Sequence, residues 1–182
     1  MATATTMSGA TFDQLPYEEG RHLELLHGEV ITVPRPTPKH QISVTILTAS
    51  LLGYFEREPG GVALPDCEFA IGEDDRLCPD GAILLKERWA SIDPDKTPIP
   101  LAPDIAVEVL SPSERTTDSM RKVWTYLEAG TREVWQFQPD SQKVLVYRSA
   151  KSITVLDIGE SLSTPLLPGW EISVRKIFST KQ

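Results

Sequence analysis

The spacing of apolar positions changes several times along the chain, and each change marks an element. HLELL at 22–26 and EVITV at 29–33 are short β-type runs separated only by His27-Gly28. Two such runs around a two-residue turn predict an N-terminal β-hairpin. Ahead of it, residues 1–10 are expected to be a flexible tail, followed by a short helix over 12–18 with Thr11 as its cap. From 39 to about 58 the period becomes helical. Ile42, Ile46, Ala49, Leu52 and Phe55 recur at helical spacing, and Leu47, Leu51 and Tyr54 form a second apolar row. Pro38 suits the first helical position, with Thr37 as N-cap. Pro59-Gly60-Gly61 ends the helix.

Strand patterns follow at 62–70, broken near Pro65-Asp66, and at 77–86, after a turn at 73–75. Residues 93–103 hold four prolines and read as a surface loop. Residues 104–110 are a short buried strand. Met120, Val123, Trp124 and Leu127 then give a helical stripe over 118–129, stopped by Gly130. Further strands are predicted at 133–138, 144–148 and 152–157, and a closing helix at 170–178. This order predicts an α/β fold, one mixed sheet flanked by helices, in a single domain over 11–182.

One residue interrupts the pattern. In the strand at 104–110, Glu108 stands where an apolar side chain is expected. Alternation places Ile105, Val107 and Val109 on one face and Ala106, Glu108 and Leu110 on the other. A lone buried carboxylate costs several kcal/mol unless it meets a cation or donors. Glu108 is therefore either paired in a buried salt bridge, with Lys122 as a partner, or holds a metal. Asp104 cannot share that ion, because four residues along a strand span about 13 Å. Asp80, following Pro79 on the preceding strand, can. Ala82 and Ala106 leave room beside the two acids. Oxygen donors with open positions suit Mg²⁺ or Mn²⁺ better than zinc. Arg121 and Lys122 are the nearest cations, at the start of the following helix. On a helical wheel Lys122 lies nearly opposite the apolar stripe and Arg121 lies nearer its flank.

Composition narrows the function. A net charge of −8 and a pI of about 4.9 argue against a broad basic surface, while leaving room for a local basic groove. The N-terminal residues have neither a basic segment nor an apolar core, and no apolar run has transmembrane length, so a cytoplasmic protein without membrane contact is expected. Cys67 and Cys78 show no metal-ligand spacing and are expected to be reduced packing residues. The four tryptophans are expected in the core or at an interface.

The segments HLELLHGEV, PRPTPKHQISV, CPDGAILL, PDIAVEVLSPSERTTDSMRKVWTYLEAGTREVW and QPDSQKVLVYR resemble, in order, those of the Uma-two family. That family consists of restriction-endonuclease-like proteins of the PD-(D/E)XK nuclease superfamily. The resemblance runs over about residues 12–178 and is most specific at 103–135. It implies a restriction-endonuclease-like fold with a Mg²⁺-dependent phosphodiesterase site acting on DNA, and a homodimer. Carried over, Asp80 and Glu108 are the metal ligands. Leu110 stands at the usual lysine position, and the family's displaced lysine corresponds to Lys122. Asp80, Glu108 and Lys122 are thus the implied catalytic set. Glu24 and His40 also fall on family positions and are candidate site-lining residues, as is Arg121. An ordinary ion pair for Glu24 and a capping role for His40 are the plainer alternatives. The competing function is a non-catalytic dimeric scaffold that keeps the nuclease fold to bind a partner.

Overall fold

The computed structural model describes residues 6–16, 22–111 and 116–179. A short helix α1 (Gly9–Phe12) is capped by the Ser8 hydroxyl, which accepts the Thr11 N–H. The helix predicted at 12–18 thus lies further upstream, and residues 17 and 18 fall outside the described residues. Part of the expected tail is anchored. The Met7 N–H donates to the Gly28 carbonyl at 2.7 Å, and Gly9 is buried.

Strands β1 (His22–Leu26) and β2 (Glu29–Val33) form the expected hairpin. His27 and Gly28 both have positive φ, 52° and 75°, the backbone of a two-residue turn matched to strand twist. Helix α2 (Pro38–Phe55) starts as predicted, with Pro38 in its first turn and Thr37 Oγ1 accepting the His40 N–H. Its buried row is His40, Ser43, Leu47, Leu51 and Tyr54. The other predicted row is only partly covered, and Leu52 is 48% exposed. Nearly every turn of this helix is apolar, so periodicity alone did not select a face.

Strands β3 (Gly61–Leu64) and β4 (Phe69–Gly72) replace the single broken strand and belong to different sheets. The run at 77–86 also splits, into β5 (Asp75–Leu77) and β6 (Gly81–Leu85), and a short helix α3 (Lys86–Trp89) follows. Strand β7 (Ile105–Val109), helix α4 (Thr116–Glu128) and strands β8 (Glu133–Gln138), β9 (Lys143–Ser149) and β10 (Ser152–Leu156) match the predicted elements closely. Gly130, at φ +91°, ends α4 as expected of a left-handed C-terminal residue. The predicted closing helix is instead a hairpin of β11 (Ser161–Ser163) and β12 (Glu171–Ser173) ending in the single turn α5 (Val174–Ile177).

The α/β class with a mixed, helix-flanked sheet holds. The main sheet has the order β10-β9-β8-β7-β6-β3, and only the β7–β8 pair is parallel. A second sheet, β2-β1-β5-β4, is an addition to the single sheet expected. The odd-numbered residues of β7, Ile105, Val107 and Val109, pack with Leu47, Leu51, Trp135, Trp170 and Phe178. The indole rings of Trp135 and Trp170 stack there, 5.4 Å apart. On the opposite face Ala106 packs with Val123, Tyr126, Leu26 and Leu77, beneath α4 and the second sheet. Glu108 points to this second side, between the two sheets. Among the described residues no helix is long and apolar enough to cross a membrane.

Candidate active site

The site forms where the chain passes from one sheet to the other. Between β5 and β6 lie Cys78, Pro79 and Asp80. Pro79 has no N–H to give a strand ladder, so the run breaks there. The β6–β7 register pairs Gly81 with Val107, and one step further places Asp80 opposite Glu108. The Asp80 carboxylate is held from two sides. Its Oδ2 accepts the Val109 N–H at 2.6 Å, and its Oδ1 lies 3.1 Å from His40 Nε2. His40 is buried, and its Nδ1 has no partner among the described residues. A proton on Nε2 therefore suits the ring, which donates to Asp80 and leaves no buried donor unmet.

Glu108 is 6% exposed and is bonded through both oxygens. Oε1 accepts the Tyr126 hydroxyl at 3.0 Å, and Oε2 lies 3.5 Å from Lys122 Nζ. Lys122 Nζ is closer to Glu24 Oε2, at 2.7 Å, and Glu24 Oε1 accepts the Cys78 N–H at 3.0 Å. Glu24, Glu108 and Lys122 are each at least nine-tenths buried. Lys122 and Tyr126 stand one turn apart on α4, so one helix face delivers these two partners to Glu108. Burial, and then the negative Glu108 and Glu24, push the Tyr126 phenol well above its usual pKa. It stays protonated and remains a donor.

Asp80, Glu108, Lys122 and His40 line a cavity of about 480 Å³ whose opposite wall is β2 and the proline-rich segment after it. Glu24 lies behind Lys122 and not on the cavity wall. The donor set fits a hard dication. Glu24 and Glu108 share the Lys122 ammonium, and Asp80 stands beside Glu108 with His40 as its partner. Asp80 and Glu108 are the carboxylates on the cavity wall, and oxygen donors of this kind suit a hard dication.

A model of a family described as "putative restriction endonuclease", Uma2, matches residues 10–175. The chain belongs to the Uma2 family. A crystal structure of a putative nuclease belonging to DUF820 from Anabaena variabilis ATCC 29413 has a TM-score of 0.83 to it at 23% identity. That match covers 94% of this chain and 97% of the other, and it shows a shared fold. No curated protein matches the chain.

In this Uma2 protein the structure brings Asp80, Glu108, Lys122, His40 and Glu24 together and leaves Arg121 outside the cavity. Arg121 pairs with Glu29 at 3.0 Å and Asp118 at 3.5 Å, and donates to the Leu26 carbonyl. The helical wheel misplaced the two cations because the buried face of α4 is Ser119, Lys122, Val123, Thr125 and Tyr126. Met120, Trp124 and Leu127, three of the four stripe residues, are only half-buried. Lys122 is tolerated in that face because two carboxylates meet it there. Neither the apolar period nor the motif spacing of the sequence singles out Tyr126. Its only signal was its place four residues after Lys122 in the family-like YLEAG segment. Cys78, expected from the sequence to be a packing residue, also lends its backbone N–H to Glu24.

Proposed function

We propose that this protein is a metal-dependent endonuclease that hydrolyses phosphodiester bonds in DNA, with Asp80 and Glu108 as ligands of Mg²⁺ or Mn²⁺. The observation that carries this reading is the convergence of two acids, a buried lysine and a buried histidine on one open cavity. A dication bound there supplies polarisation of a phosphoryl oxygen and a more acidic water. The residues set up the rest. Val109 N–H and His40 fix both oxygens of Asp80, so its free lone pairs keep one direction. Tyr126 fixes Glu108 in the same way. Lys122, held between Glu24 and Glu108, presents an ammonium at the cavity wall. There it steadies negative charge building on a phosphate or orients a water. The family resemblance adds a homodimer acting on the two strands of a duplex, and a cytoplasmic location, to the same proposal.

The scaffold reading has one observation in its favour. Lys122 lies between Glu24 and Glu108 and so serves the buried acids as a counter-ion supplied by the fold itself. Two measurements separate the readings. Calorimetric titration with Mg²⁺ or Mn²⁺ is expected to show binding by wild type and none by Asp80→Ala. Plasmid DNA is expected to be nicked in either ion and left intact in EDTA. Metal uptake by wild type without cleavage of DNA or RNA would leave the scaffold.

A further inference from the structure

Beside the carboxylate site lies a second group of donors with different chemistry. His22 opens β1, Asp66 sits in the turn after β3, and Cys78 is one residue past β5. One ligand atom from each, a ring nitrogen, a carboxylate oxygen and the sulfur, lie within 4.8 Å of one another. Cys78 Sγ and Asp66 Oδ1 are 3.4 Å apart. Bond lengths to zinc of about 2.0 to 2.3 Å put tetrahedral ligands roughly 3.3 to 3.8 Å apart. One edge of such a tetrahedron is therefore already in place. The remaining contraction is within reach of side-chain rotation, since His22 and Asp66 are exposed. Asp66 has a left-handed backbone, φ 52°, and its carboxylate accepts a hydrogen bond from the Cys78 thiol.

The three residues line both the 480 Å³ cavity and a neighbouring one of about 760 Å³. The cluster is thus open to solvent from both sides, with room for a water as fourth ligand. Sulfur and imidazole select borderline or soft cations, whereas Mg²⁺ prefers oxygen. We propose that His22, Asp66 and Cys78 form a second metal site, specific for a zinc-class dication and distinct from the Asp80/Glu108 site. The two sites are linked through one residue. The backbone N–H of Cys78 fixes Glu24, which in turn holds Lys122.

Cobalt(II) tests this on the full-length protein, because a Co²⁺–thiolate bond gives a charge-transfer band in the near ultraviolet. Titration is expected to show that band at one ion per chain. Zn²⁺ should abolish it, and a large excess of Mg²⁺ should not. Asp80→Ala and Cys67→Ser should retain it, which separates this site from the carboxylate pair and from the other thiol. Cys78→Ser and Cys78→Ala, each checked for folding by circular dichroism, should lose it. His22→Gln and Asp66→Asn should weaken cobalt binding at least about tenfold. Absence of the band in wild type, or its survival in the folded Cys78 variants, overturns the assignment. So does its loss in Cys67→Ser. None of these readouts depends on DNA cleavage, so the outcome is independent of the nuclease reading.

Discussion

The two ends of β7 each bury a carboxylate, and they do different things. Asp104, just before the strand, is 4% exposed, and Glu108, near its other end, is 6% exposed. Asp104 is held through both oxygens by the segment at 85–88. Its Oδ2 accepts the Leu85 N–H at 2.8 Å, its Oδ1 lies 3.4 Å from Arg88 Nε, and Arg88 also donates to the Ala102 and Gly130 carbonyls. That arrangement pins α3 and the end of α4 to the sheet. Glu108 shares its cation with a second buried acid, faces a third across the strand pair, and borders a cavity. Burial of a charge does not distinguish the two ends. What does is that Glu108 borders a cavity and stands beside two further carboxylates, whereas the contacts of Asp104 tie α3 to the sheet.

The sharpest break between the ends is in activity. Asp80→Ala or Glu108→Ala should lower Mg²⁺-dependent DNA cleavage at least about 10³-fold, because each removes an ion ligand. Asp104→Asn should leave the specific activity of folded protein unchanged. Plasmid nicking by matched amounts of folded variant decides this. Equal losses at both ends would remove the contrast.

Stability comes next. Lys122→Ala leaves Glu24 and Glu108 buried beside each other without that cation, and should cost about 3 to 5 kcal/mol in urea unfolding. Added Mg²⁺ should restore part of the loss if a dication takes over the neutralisation. Asp104→Ala should cost a similar amount, with no recovery in Mg²⁺. A metal-insensitive Lys122→Ala would make the Glu108 end as purely structural as the Asp104 end.

A smaller effect is expected from Glu108→Gln. Lys122 keeps Glu24 at 2.7 Å, and a glutamine carbonyl still accepts the Tyr126 hydroxyl, so metal-free stability should change by no more than about 1 kcal/mol. Metal binding should nevertheless be lost. A large destabilisation would mean that the Glu108–Lys122 pair is the main purpose of both residues.

The last expectation is a slope. The folded chain holds the Tyr126 proton above the ordinary phenol value of 10.0. Above that pH the unfolded chain releases a proton that the folded chain keeps. The stability tied to this proton is fully present below about pH 10 and declines as pH rises past it, by about 1.4 kcal/mol per pH unit. Tyr126→Phe should therefore show a shallower alkaline loss in denaturant midpoints than wild type. Tyr147, whose phenol is also raised by burial, contributes equally to both proteins.

Features governed by near neighbours were legible in the amino-acid order. The His27-Gly28 turn, the Thr37-Pro38 helix start, the Gly130 stop and the alternation along 105–109 all depend on contacts a few residues long, and all stand in the structure. The adjacency of β6 and β7, which sets Asp80 opposite Glu108, followed from their order in the chain. Other features were decided only by packing between distant segments. Local periodicity does not specify which face of α2 or α4 is covered, because the covering surfaces come from strands many residues away. The meeting of Glu24 with Lys122 joins residues 98 positions apart, by subtraction of their numbers. Pro79 marks where the run at 77–86 can break, but only packing assigns its two halves to different sheets. A lysine on a buried helix face violates the sequence pattern, and it is stable there because the fold brings two carboxylates to meet it.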